Sequence, residues 1–263
     1  MLFRSVDIRN IASLGPATVR PLEVDNQGLV PGAQLNGCEV IYVTPSHQSP
    51  TTVTMPLERR YELLRQAGDS DFVIIEDDYE SEINYQANPL PALKSLDRQG
   101  RVLYVGSLSK TVSAGLRIGY VVGPRELIAE LRALRRLMLR HPALNNQYAL
   151  ALFLARGHHD AHLRRLHREF KERHECLAAA LHTYLPGNFT AAGFGGSSFW
   201  IEGPQAFNAG EFADRALAEG IIIEPGDTHF FGDTVPTNFF RLGYSAIATA
   251  NIEPGIKRLV ELI

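Results

Sequence analysis

Lys110 lies in the stretch Val105-Gly-Ser-Leu-Ser-Lys-Thr-Val-Ser-Ala-Gly-Leu-Arg-Ile-Gly-Tyr120, with hydroxyls at Ser107, Ser109 and Thr111 and a guanidinium at Arg117. Hydroxyls and a guanidinium suit a phosphate, while a lysine amine can be presented to a carbonyl. The commonplace alternative is a solvated loop lysine, since most lysines are exposed. Upstream, Asp71-Phe-Val-Ile-Ile-Glu-Asp-Asp-Tyr79 ends an apolar run in acids and a tyrosine. On an extended strand Asp77 and Tyr79 share a face and Asp78 points away, so Asp77 and Tyr79 are the pair that can act together. Solvated acids at a strand end are the alternative there.

Both motifs follow runs that read as strands. Arg101-Val-Leu-Tyr-Val-Gly106 is apolar and β-branched, as is the segment 72–77, and two parallel strands ending at one sheet edge make a ligand crevice. Glu39-Val-Ile-Tyr-Val-Thr44 predicts a further strand, 118–123 another, and Thr18–Val24 a weaker one before the turn-prone Asp25-Asn-Gln-Gly28. Leu57, Tyr61 and Leu64 at helical spacing predict a helix over 56–67. The alternation reads as α/β with a mostly parallel sheet. From Pro124 the pattern turns helical. Leu127, Leu131, Leu134 and Met138 form an apolar stripe with arginines on the remaining surface, a second helix covers 145–156, and a long third runs over 160–185. Strands at 196–201, 221–224 and 238–244, with helices at 207–218 and 251–262, make an α+β segment.

A net charge of −3 argues against a global basic field for nucleic acid, and no apolar run is long enough to cross a bilayer. The N-terminus lacks the pattern of a signal peptide, which places the chain in the cytoplasm. Cys38 and Cys176 stand apart in sequence and suggest neither a disulfide framework nor a zinc site. The arginine-rich helix between Pro124 and Pro142 could be taken for a nucleic-acid reader, but with an acidic total it reads as an exposed face or a phosphate-proximal dipole effect. His158, His159, His162, His167 and His174 invite a metal reading, but no carboxylate or cysteine completes a set at zinc spacing, and such a cluster is commonly solvated.

Several of these motifs, in this order, resemble the fold-type-I enzymes that depend on pyridoxal 5'-phosphate (PLP). The resemblance is to the class I/II aminotransferases and most closely to the aminotransferase-like domain of MocR/GabR-type transcriptional regulators. It rests on Val43-Thr-Pro-Ser-His-Gln48, Ile75-Glu-Asp-Asp-Tyr79, Pro91-Ala-Leu, and Ser-x-Ser-Lys followed by Gly-Leu-Arg-x-Gly-Tyr, and extends from about Val19 to the C-terminus. It implies an incomplete PLP-transferase large domain over 1–160 and a small α+β domain over 161–263, entered by the long helix. It also implies that Lys110 carries PLP as a Schiff base and moves the proton, that Asp77 pairs with the pyridine nitrogen, and that Tyr79 meets the phenolic oxygen. Ser107, Ser109 and Arg117 would hold the phosphate. Arg241, in Phe-Phe-Arg-Leu-Gly-Tyr, would grip the substrate carboxylate with its two-pronged fork, and His47 is a weaker candidate for a contact near the site. The partners implied are an amino acid or amine, a 2-oxo acid and a second copy of the chain. Amino-group transfer is the first reading, and a sensing module of a regulator without its winged-helix DNA-binding domain is the second.

Departures from the pattern bear on that choice. Ser49-Pro-Thr-Thr52 stands where ordinary class I enzymes have Asn-Pro-Thr-Gly, which favours the regulator branch, and Ala114 replaces a frequent proline. Thr52 is compatible by size, and Ser49–Pro50 is a candidate cis bond. The Gly-rich phosphate turn and the ring-stacking aromatic that open a full domain of this type are not in the sequence, which reads as a C-terminal fragment, a split reading frame or a degenerate descendant.

Overall fold

The computed structural model describes residues 10, 14–84, 90–192 and 195–263. Contacts divide them into two units. One holds Pro31–Ser46 and Met55–Arg168; the other holds the described residues up to Val30, His47–Thr54 and Glu169–Ile263. Where the sequence drew one cut at 160, this division falls between Arg168 and Glu169, inside the long helix.

The unit containing Lys110 is built on four strands: β3 (Val40–Val43), β4 (Val73–Asp78), β5 (Val102–Ser107) and β6 (Gly119–Val122), in that spatial order. β3, β4 and β5 run parallel and β6 returns antiparallel beside β5. The sheet is thus α/β and mostly parallel. Its register decides which side chains share a face. Tyr42 pairs with Ile75 and Asp77 with Val105, so Tyr42, Ile75, Asp77, Val105 and Ser107 lie on one face. Ile41, Val43, Ile74, Glu76, Asp78 and Val102 lie on the other, and all six are buried.

Helix α1 (Leu57–Asp69) buries Arg60, Leu63 and Ala67, a spacing that keeps one stripe on the core. Arg60 is fully buried and spends its donors on backbone: Nε on Met55 O (3.0 Å), Nη1 on Pro91 O (3.0 Å) and Nη2 on Pro45 O (2.9 Å). That satisfies a guanidinium whose burial would otherwise be costly. Glu76 does the complementary work, accepting from Leu93 N (2.7 Å) and Lys94 N (2.8 Å) at the start of the short helix α2 (Leu93–Leu96). Helix α3 (Arg125–Leu139) forms where the stripe predicts it, yet none of its residues is buried. Helix α4 (Leu144–Ala155) and the long α5 (His158–Tyr184) follow.

In the other unit, the strand expected over Thr18–Val24 is reduced to β1 (Val24–Asp25), hairpinned to β2 (Gly28–Leu29). Pro21 has no N–H to give a ladder there. The main sheet is antiparallel, in the order β7 (Thr190–Ala192), β8 (Ser198–Glu202), β10 (Phe239–Gly243), β9 (Glu224–Pro225). β9 covers only Glu224–Pro225, so residues 221–223 of the predicted strand lie outside the ladder, which instead runs one residue further to Pro225 opposite Phe240. Asn208 caps α6 (Ala209–Ala218), its Oδ1 accepting from Gly210 N (3.0 Å) and Glu211 N (3.2 Å), and α7 (Thr249–Val260) closes the chain. One sheet face packs on helices: Phe240 meets Phe212 of α6, and Phe199 stacks on His174 of α5. The opposite face carries Trp200 stacked on Phe239, together with Ser198, Glu224 and Arg241.

Candidate active site

β5 and β6 are joined by a long turn that Leu108 N closes onto Ile118 O (3.1 Å), and Lys110 sits inside it. Its Nζ donates to Glu80 Oε1 at 2.9 Å and stands 5.6 Å from the centre of the Tyr79 ring. The lysine side chain is 40% exposed and the glutamate side chain 1%. Lys110 is therefore tied to a buried acid at the rim of the unit, which a freely solvated loop lysine would not be.

Asp77 and Asp78 part as strand alternation requires. Asp78 is buried and accepts from the Tyr104 hydroxyl (3.0 Å). Asp77, on the half-buried face, accepts from the Tyr42 hydroxyl through Oδ2, its one hydrogen bond among the described residues. Burial pushes the Asp77 carboxyl above the usual range, and the Tyr42 bond offsets part of that. Ser107 shares this sheet face, and its Oγ accepts from Ser109 N (3.3 Å), leaving the hydroxyl proton to donate elsewhere. Arg117 ends a short 3-10 turn (Ala114–Leu116) in the left-handed region, at φ 51° and ψ 45°. It is exposed and makes no ion pair among the described residues. An exposed arginine and serine hydroxyls carried on one turn are groups that suit a phosphate, and a half-buried carboxylate with one oxygen engaged suits a protonated ring nitrogen.

Three side chains from the following helices fasten this region. His162 Nε2 bonds Thr111 O (2.6 Å), His167 Nε2 bonds Glu82 O, and Asn146 Nδ2 donates to Leu116 O (3.1 Å). A carbonyl only accepts, so both imidazoles carry their proton on Nε2. The expectation of a solvated histidine cluster is thereby corrected: His162 and His167 are half-buried and hold the backbone just after Lys110 and just after Tyr79 and Glu80.

Arg241 and His47 belong to the other unit. Arg241 donates from Nε to Ser198 Oγ (2.8 Å) and from Nη1 to Glu224 Oε2 (2.9 Å). Glu224 Oε1 lies 3.2 Å from His229 Nε2, and the His229 bond, followed by Arg241, holds its carboxyl down at about 2. His47 is 2% exposed, and Nε2 would stand 3.0 Å from a Cβ on Gly195. Ser49–Pro50 is cis, and Thr52 sits at φ 62°. A β-branched residue is strained there, so what glycine offers at that position is backbone freedom, not only small size.

The sequence did not point to Tyr42, Glu80, Asn146, Glu224 or His229, and it pointed to His162 and His167 only as members of a solvated cluster. Glu80 had a readable signal, since it continues the Asp77–Asp78–Tyr79 run by one residue. The others depend on register or on contacts distant in sequence.

The profile described as "Aminotransferase class I and II" matches residues 28–259. The chain belongs to that family. It is 43% identical over 247 residues to the HTH-type transcriptional regulator TauR of Rhodobacter capsulatus, covering 94% of this chain and 51% of TauR. It is 33% identical to the probable rhizopine catabolism regulatory protein MocR of Rhizobium meliloti, covering 84% of this chain and 45% of that protein. Among solved structures it matches Pyrococcus horikoshii kynurenine aminotransferase in complex with PMP, with a TM-score of 0.83, 28% identity and coverage of 92% of this chain and 62% of that one. The chain thus spans about half the length of the curated relatives it matches. Family members and their complexes imply PLP as the cofactor. No helix among the described residues is long and apolar enough to cross a membrane.

Proposed function

We propose that this chain is a PLP-dependent aminotransferase domain that moves an amino group between an amino acid and a 2-oxo acid. The observation that carries this reading is Lys110 held by Glu80 beside the Tyr79 ring, one residue pair beyond Asp77 on the same strand end. Bound PLP supplies an electron sink for a carbanion at the substrate's α-carbon. This chain's residues supply the rest. Lys110 would hold the cofactor through its amine and, with that amine free, would serve as the base for the α-proton. Asp77 keeps a proton on the ring nitrogen, aligned by Tyr42. Tyr79 donates to the phenolic oxygen, Ser107, Ser109 and Arg117 hold the phosphate, and Arg241 takes a substrate carboxylate.

The test is incubation with PLP, a panel of amino acids and 2-oxoglutarate. Formation of a new keto acid, together with a yellow colour that borohydride fixes and Lys110→Ala abolishes, supports the reading; a colourless protein overturns it. The higher identity to a transcriptional regulator than to the kynurenine aminotransferase favours a second reading, in which the same residues bind PLP and an amine as a signal with little turnover. A spectral change without keto acid would select it. A cytoplasmic homodimer fits both readings.

A further inference from the structure

The guanidinium proposed to receive a substrate carboxylate already has one. Arg241 Nη1 donates to Glu224 Oε2 (2.9 Å) and Nε to Ser198 Oγ (2.8 Å). Every two-pronged grip by an arginine draws on Nη2 together with Nε or Nη1, and here both of those have an acceptor. Glu224 is itself held from behind. It stands opposite Arg241 in the β9–β10 register, and its other oxygen faces His229 Nε2 at 3.2 Å. His229 is 7% exposed and set edge-on to Trp200, which stacks on Phe239, so the acid has a rigid aromatic backing. The pair is nevertheless open to solvent: the Arg241 side chain is 23% exposed and that of Glu224 49%, so an incoming anion can reach it.

We infer that Glu224 is a resident carboxylate that competes with a ligand's carboxylate for Arg241 and so sets how strongly this chain selects carboxylate-bearing amines over plain amines. The inference rests on Arg241 being the carboxylate clamp. Arrival of an α-amino acid must displace Glu224, and a plain amine need not. The acid therefore narrows the affinity gap between an amino acid and its decarboxylated counterpart, a specificity role that needs no contact with the reacting atoms.

The test uses the full chain loaded with PLP, titrated with an amino acid and separately with the corresponding amine, and followed by the visible absorbance of the bound cofactor. Glu224→Gln, which keeps a hydrogen-bonding group and removes the charge, should tighten the amino acid roughly three- to fivefold, the scale of a partly exposed ion pair, and leave the amine unchanged. Glu224→Asp, one methylene short of its partners, should move the same way by less. A readout without cofactor is the rate at which phenylglyoxal labels Arg241, located by peptide mass: Glu224→Gln should raise it. If Arg241→Gln leaves amino-acid affinity unchanged, the clamp reading fails. If Arg241→Gln weakens it while both Glu224 variants, folded by circular dichroism, bind the amino acid no tighter than the parent, the clamp stands and the competition is refuted.

Discussion

At the residue scale the structure is governed by which charges are buried and with whom. Glu80 has a side chain 1% exposed, and Lys110 is its cation. Removing the lysine from the cofactor-free protein takes a charged hydrogen bond away from that buried carboxylate. Lys110→Ala should therefore cost roughly 1–2 kcal/mol in urea unfolding, and adding Glu80→Gln should recover most of it. Equal losses in the single and double variants would refute the coupling. Glu76 titrates in the opposite sense to a paired surface acid. Burial raises it from 4.5 to about 6, against the pull of the Lys94 and Leu93 amides. A raised acid binds its proton more tightly when folded, so its contribution is full below pH 4.5 and is lost as pH rises through about 6. Comparison with Glu76→Gln isolates it: relative to that variant, the parent should lose about 2 kcal/mol between those limits. A stability difference that stays constant with pH would remove the basis for this claim.

At the element scale, the strands and helices that carry the site were legible, and their supports were not. Apolar β-branched runs marked β3, β4 and β5 because strands buried on a sheet face need such residues, and Asp77 and Asp78 could be assigned to opposite faces from alternation alone. Weak elements were misjudged at their starts: Pro21, with no N–H to give, precedes a strand that begins only at Val24, and residues 221–223 lie outside β9. The apolar stripe of α3 was legible as a helix but wrong as a guide to burial. Helix α5 shows why the supports escaped: its histidines sit far in sequence from Thr111 and Glu82, the backbone they bind. His162→Ala should free the Thr111 carbonyl and raise amide hydrogen exchange across 108–118 while leaving α5 helical, at a cost of about 1 kcal/mol. Glutamine places its amide nitrogen near where His Nε2 lies, so His162→Gln should restore most of the protection. Identical exchange in the parent and the alanine variant would mean that the helix does not hold the Lys110 turn.

At the scale of the whole molecule, several strongly exposed large apolar side chains cluster in one part of the chain. Leu137 is 84% exposed, Met138 77%, Leu139 68%, Leu144 70% and Tyr148 68%, all at the end of α3 and the start of α4. Nearby in sequence, β6 pairs on one side only, with Tyr120, Val121 and Val122 exposed. Scattered exposed leucines are ordinary, whereas a run of five large apolar side chains over a helix end and its successor drives association. A strand with an unpaired edge adds to the tendency. The purified chain should therefore sediment as a concentration-dependent mixture, with the larger species gaining as protein is added. Leu137→Glu with Met138→Glu should shift that distribution toward the single chain. The two side chains are so exposed that the change should leave the unfolding free energy within about 0.5 kcal/mol of the parent, as for surface substitutions generally. The pairing of measurements decides the cause. Loss of association with unchanged stability assigns it to the α3–α4 surface, whereas association that persists in the double glutamate variant moves it to the β6 edge, where Val121→Lys is the next substitution to sediment.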